Sequence, residues 1–211
     1  MIALRTAVSI LLTSWAGVAA AHADHEPSKF NSLDIKDAKC CKGVRLADDK
    51  GKIRTIEEFR GKIVVVAFGY TNCPDVCPTT LADLAKVRKA LGRDARRVQV
   101  LFVTVDPARD TATLLGQYVK AFDPSFIPLR GEPDQVAQTV KDFRIVVDKD
   151  APDAEGKYLV YHMSGTYVFD TDGKARLFVS VQRPDLLASD IQLLLRERSN
   201  TKSNGKTTGR G

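Results

Sequence analysis

The chain has 211 residues, of which 44% are hydrophobic and 27% charged. That balance suits a globular domain able to bury its own core, and argues against a disordered or membrane-embedded chain. Lys and Arg outnumber Asp and Glu by 32 to 26. No basic run is interleaved with aromatics, so nucleic acid is a poor partner, and the charge fits only mild attraction to an acidic protein or a membrane surface.

Residues 1–23 read as an export signal. Arg5 supplies the positive start, residues 7–21 are apolar and small, and Ala21-His22-Ala23 has the composition of a cleavage site. The alternative is an uncleaved anchor, for which the apolar run is short against the about 20 residues of a membrane span. The expected compartment is the periplasm, with a mature chain starting at Asp24. Residues 24–42 are polar, lack periodicity, and read as a flexible arm that carries Cys40 and Cys41.

The folded domain is expected over residues 43–198. It opens with an N-terminal β-hairpin, in which residues 44–46 and 53–55 flank the turn Asp48-Asp49-Lys50-Gly51. Residues 63–68 (Ile-Val-Val-Val-Ala-Phe) form a continuous apolar run, the mark of a strand buried on both faces. After a loop, Pro78 opens a helical pattern through Leu81, Leu84, Val87 and Leu91. Residues 98–105 read as a second buried strand, 111–122 and 133–143 as helices, and 144–147 as a short strand. The stretch 149–157, rich in Asp, Pro and Gly, reads as an exposed loop. Two strands, 166–169 and 175–181, enclose the turn Asp170-Thr171-Asp172-Gly173, and a last helix covers 184–198. Residues 199–211 read as a disordered basic tail. The alternation predicts one α/β domain with a central mixed sheet flanked by helices, whose ligands gather beyond the carboxyl ends of the central strands.

Cysteine usage points to chemistry there. In an oxidising compartment Cys40, Cys41, Cys73 and Cys77 can be disulfides, redox pairs or ligands of a soft metal. Cys73-Pro74-Asp75-Val76-Cys77-Pro78 follows a buried strand, and its second cysteine falls at a helix N-terminus, a position that favours the thiolate. Residues four apart on a helix hold their Cβ atoms about 5–6 Å apart, wider than the about 3.5–4.5 Å of a disulfide. The spacing therefore tilts toward a shared metal without excluding a disulfide. His162 is the one histidine in the folded part; alone it reads as a packed residue, but beside an exported cysteine pair it completes a soft donor set suited to copper, above all Cu(I). Cys40-Cys41 is open to several readings: a strained ring, a second soft-metal site, thiols that resolve a Cys73–Cys77 intermediate, or buried cysteines without a role. Asp75 reads as a turn residue, Met163 as packed, and His25 as an improbable amino-terminal copper ligand.

Three segments carry a resemblance. Residues 69–81 (Gly-Tyr-Thr-Asn-Cys-Pro-Asp-Val-Cys-Pro-Thr-Thr-Leu), residues 105–111 (Val-Asp-Pro-Ala-Arg-Asp-Thr), and His162 followed by Thr166-Tyr167-Val168-Phe169-Asp170 resemble, in order, the motifs of the Sco/SenC family of copper proteins. The resemblance implies a thioredoxin-like fold and copper held by Cys73, Cys77 and His162, with Asp106 nearby through charge or hydrogen bonding. It further implies a metallochaperone for the binuclear copper centre of cytochrome c oxidase; two thiolates whose charge neighbouring dipoles offset are expected to hold both Cu(I) and Cu(II). Its partners would be the copper-receiving oxidase subunit, other copper chaperones and thiol reductants, with contact to the membrane at its surface alone. The alternative is a thiol–disulfide oxidoreductase in which Cys73 and Cys77 are the catalytic pair. Tyr161 stands where many relatives carry Asp before the histidine, which removes one candidate for orienting the ring.

Overall fold

The structure, a computed structural model, describes residues 28–204 apart from 156, 164 and 180–182; side chains after residue 197 are outside it, as are the expected signal segment and His25. Ten strands and four helices are assigned among the described residues: β1 (Leu33–Asp34), β2 (Arg45–Asp48), β3 (Ile53–Thr55), β4 (Ile63–Gly69), α1 (Val76–Leu91), β5 (Val98–Thr104), α2 (Ala112–Phe122), β6 (Ile127–Arg130), α3 (Pro133–Asp142), β7 (Val147–Lys149), β8 (Val160–His162), β9 (Thr166–Phe169), β10 (Ala175–Val179) and α4 (Pro184–Asn204). Eight of the strands form a sheet in the order β1-β10-β9-β4-β5-β6-β2-β3, and β7 pairs with β8 apart from it.

The centre of the sheet lies where the apolar runs predict it. Every residue of β4 and β5 is buried, and the two strands are parallel from Ile63 opposite Val98 to Gly69 opposite Thr104. Parallel neighbours need a crossover, which α1 supplies between β4 and β5 and α2 between β5 and β6. On the other flank β9 runs antiparallel to β4. Phe68, Phe143 and Tyr167 meet edge to face with centroids 5.0–6.2 Å apart, geometry that adds to their area burial. α1 packs against α4. The result is a thioredoxin-like fold, a central mixed sheet flanked by helices.

Turn chemistry is visible in two of the antiparallel connections. Between β2 and β3 the buried Asp48 carboxylate accepts the amides of Lys50 and Lys52 and the Nε of Arg54, and Gly51 takes a positive φ of 80°. Between β9 and β10 the Asp170 carboxylate likewise accepts the amides of Asp172 and Lys174.

Several local features differ from the sequence expectation. The arm is not loose over its described part: β1 pairs with β10, Phe30 is buried, and the fully buried Asp190 of α4 accepts the amides and side chains of both Asn31 and Ser32. β6 is not among the expected strands; Pro128 disfavours an interior strand, yet β6 runs parallel to β5 with Pro128 opposite Phe102. The short strand begins at Val147 and not at residue 144, because Arg144 adopts φ 54°, which breaks an extended path. Finally, α4 continues past Arg198 to Asn204; no proline or glycine stands in residues 199–204 to stop propagation, and Gly205 is the first breaker.

Asp190→Ala should release the arm selectively. Hydrogen bonds to a charged acceptor carry about 1.5–3 kcal/mol each, and the expected readout is faster amide exchange at residues 31–34 with little change in β4 and β5. Unchanged exchange at those amides would show that β1 is held by its pairing alone.

Candidate metal centre

β4 ends at Gly69 on the carboxyl edge of the sheet, where the Val105 amide donates to the Gly69 carbonyl. The following loop is fixed from both sides. Tyr70 is buried, and its hydroxyl accepts the Val160 amide at 3.3 Å. Thr71 donates its amide and its hydroxyl to the carboxylate of Asp110, which also takes the Thr104 hydroxyl at 2.6 Å. The residues that hold the cysteine loop therefore come from β5, the loop between β5 and α2, and the strand that carries His162.

Cys73 sits half-buried in the loop and Cys77 is buried in the first turn of α1. Asp75 occupies the cap position, exposed and without a side-chain capping bond. Pro78 falls in the same first turn, where its missing N–H costs no helical bond. The Cys77 amide points at the Cys73 sulfur at 3.4 Å. Across the sheet edge, His162 ends β8 and brings its Nε2 to 3.5 Å from the Cys77 sulfur. Metal–thiolate and metal–imidazole bonds of about 2.3 and 2.0 Å would span that 3.5 Å gap at an angle of roughly 110°, so the sulfur and the nitrogen suit a common ion.

The ring is oriented by the backbone. His162 Nδ1 lies 3.3 Å from the Met163 carbonyl, which can only accept, so Nδ1 carries the proton and Nε2 keeps its lone pair. This takes the place of the absent carboxylate at Tyr161, which points to solvent. Burial lowers the imidazole pKa, partly offset by the Met163 bond, so the ring is neutral near pH 7. For Cys77 the expected lowering is not found. Burial, with the adjacent Cys73 thiol, pushes its pKa well above the ordinary thiol value and outweighs the Tyr70 backbone bond. The sulfur is thus held as a thiol until a metal displaces its proton.

Cys73, His162, Tyr70, Val76 and Leu159 line a cleft of about 230 Å³ with Cys77 behind them. Among the described residues no group of three or more His, Cys, Asp or Glu side chains is closed tightly enough to grip a cation without adjustment. The donors are assembled pairwise, Cys73 to Cys77 and Cys77 to His162.

Asp106 does not touch these donors among the described hydrogen bonds. Fully buried, it binds Arg109 Nε, Lys149 Nζ (3.1 Å) and the Tyr158 hydroxyl (2.9 Å). Arg109 in turn stacks on Tyr158 with its guanidinium carbon 3.6 Å from the ring centre and donates to the Tyr158 carbonyl. Asp106 therefore ties β7 and the approach to β8 to the sheet edge. Asp110, Arg109, Tyr70 and Tyr158 were not assigned from sequence. Asp110 and Arg109 lay inside a quoted motif, but nothing in their spacing showed whom they bind.

Gly69 is the position where bulk would reach the site. A Cβ there would meet Phe102 Cζ at 2.7 Å and the Cys77 sulfur at 2.8 Å. Gly69→Ala is expected to cost about 1–3 kcal/mol through overpacking and to displace the Cys77 sulfur. Thermal denaturation and copper competition should both register it; wild-type behaviour in both would mean the loop yields freely.

Comparison with known proteins bears on the site. The SCO1/SenC family model matches residues 36–196. The mitochondrial SCO2 homolog of Danio rerio is 39% identical over 130 residues, 61% of this chain and 47% of that protein. A SCO2-like protein of Rickettsia typhi is 32% identical over 159 residues, 75% of this chain and 77% of that protein. This chain spans about half the length of the vertebrate relatives it matches. Among solved structures, copper-bound ScoI of Bradyrhizobium japonicum superposes with TM-score 0.66 at 36% identity, covering 72% of this chain and 98% of that one. Copper-bound yeast Sco1 gives 0.66 at 30% identity over 72% of this chain and 85% of that one.

Proposed function

The chain belongs to the SCO1/SenC family, and on that footing we propose that it is an exported copper metallochaperone serving the binuclear copper centre of cytochrome c oxidase. Copper is the cargo. Cys73 and Cys77 supply thiolates and the His162 Nε2 the third donor. The carrying observation is the 3.5 Å approach of Nε2 to the Cys77 sulfur with Nδ1 already committed to a carbonyl. A soft set of sulfur and imidazole nitrogen matches Cu(I), and three donors fall short of the four that structural zinc almost always takes.

The rim supports transfer to a partner. Val76, Leu159 and Tyr161 are exposed around the cleft, an apolar collar that can exclude water while ligands exchange. The periplasmic location rests on residues 1–23; among the described residues no helix is long and apolar enough to cross a membrane.

One observation favours a second reading. Cys73 is half-exposed and Cys77 buried beside it, the arrangement of an attacking and a resolving thiol, so reduction of an oxidase-subunit disulfide is the alternative. Mixing the copper-loaded, reduced protein with the isolated copper-receiving domain of an oxidase subunit separates the two. Copper found on the re-isolated acceptor supports the chaperone. An acceptor that gains thiols but no copper overturns it in favour of the oxidoreductase.

A further inference from the structure

Cys40 and Cys41 lie outside the site just described, and among the described residues no hydrogen bond joins them to Cys73, Cys77 or His162. Their geometry is unusual for neighbours in sequence. Adjacent side chains on an extended backbone point to opposite faces. Here Cys41 takes φ 60°, a left-handed conformation uncommon outside glycine, and the two sulfurs come to 2.6 Å. The conformation is held in place: the Cys41 amide donates to the Asp142 carbonyl at the end of α3, the Cys41 side chain is buried in the core, and an Arg144 nitrogen donates to the Lys39 carbonyl at 3.4 Å.

The two free thiols are in contact with each other, so a sulfur that forms a mixed disulfide has the other beside it as a nucleophile. We propose that Cys40 and Cys41 are a second thiol–disulfide site, separate from Cys73 and Cys77, which closes to a disulfide between neighbouring residues by exchange with a protein or low-molecular-weight disulfide.

Access sets the order of events. Cys40 is half-buried and Cys41 buried, so the Cys40 thiolate attacks the incoming disulfide, forming a mixed disulfide and expelling one thiol. The Cys41 sulfur, already alongside, then attacks Cys40 and expels the second thiol. Two protein thiols lose two protons and two electrons, and the reagent disulfide gains both as two thiols. Burial and the Cys40 thiol together keep Cys41 protonated in the resting state, which leaves Cys40 as the entry point.

The test uses the full chain carrying Cys73→Ser and Cys77→Ser, without copper, equilibrated in glutathione buffers from fully reduced to fully oxidised. After acid quenching and alkylation, cleavage before aspartate releases both cysteines on residues 37–47. The expected result is joint loss of both alkylation sites, a peptide lighter by two hydrogens, and no lasting glutathione adduct. Adding Cys41→Ser should convert that product into a glutathione adduct on Cys40. Two alkylated thiols in fully oxidised buffer, a persistent adduct with Cys41 free, or disulfide-linked dimers would overturn the proposal. Should the double variant fold poorly, the same mapping applies to the wild type, whose Cys73 and Cys77 fall on other peptides. Because no copper is used, failure here leaves the chaperone reading untouched.

Discussion

His162→Ala is expected to weaken Cu(I) binding by more than about a hundredfold while the fold persists. Loss of a group that merely orients a ligand costs roughly 10–100-fold in metal affinity, and here the ligand itself is removed. The imidazole is half-buried at a strand end, packed edge-on to Tyr70 with centroids 6.3 Å apart, so its truncation should cost only about 1 kcal/mol of stability. Anaerobic competition against a Cu(I) chelator, with thermal denaturation alongside, separates the two effects. The thiol pair is left in place, so disulfide exchange by Cys73 and Cys77 should continue. An affinity within tenfold of wild type would remove His162 from the donor set.

Asp106→Asn should be the most damaging substitution away from the sulfurs. The carboxylate is fully buried, and burial alone would raise its pKa; the bonds from Arg109, Tyr158 and Lys149 outweigh that and hold it below the ordinary carboxylate value. An amide in its place turns donors toward the guanidinium and ammonium groups and leaves both uncompensated. Breaking a buried pair in this way costs about 3–5 kcal/mol, or roughly 6–20 °C in melting temperature for a chain of this size. The pH dependence follows from the direction of the shift. A depressed folded-state pKa means the contribution is complete above the unfolded value of about 3.9 and is lost as pH falls through the lower folded value. Wild type and variant should therefore differ most near neutral pH and converge in strong acid. A gap independent of pH would mean that shape, and not charge, is what Asp106 supplies.

The parts of the fold legible in the sequence were those with one dominant local cause. β4 and β5 announce themselves as unbroken apolar runs because both faces are covered, and the two Asp-rich turns because a carboxylate beside glycine satisfies the bend. β6 is obscured by Pro128, whose missing N–H disfavours an interior strand although a neighbour still pairs there. β1 was hidden by its length and by polar residues whose partner, Asp190, lies far along the chain. The site divides in the same way. Cys73, Cys77 and His162 could be named from residue type, order and resemblance, whereas the depth at which Cys77 sits could not. That depth reverses the pKa expected from its helix position. Asp106 shows the opposite limit: its motif puts it in view, but only the packing of Tyr158 and Lys149 shows where its hydrogen bonds go.

The most direct test is anaerobic titration of the reduced protein with Cu(I), followed by X-ray absorption of the one-to-one complex. The account predicts two sulfur neighbours and one nitrogen neighbour per copper, with the nitrogen lost in His162→Ala and binding lost when Cys73 and Cys77 are both replaced by alanine. A copper surrounded by sulfur alone, or one retained by the protein lacking Cys73 and Cys77, would contradict it.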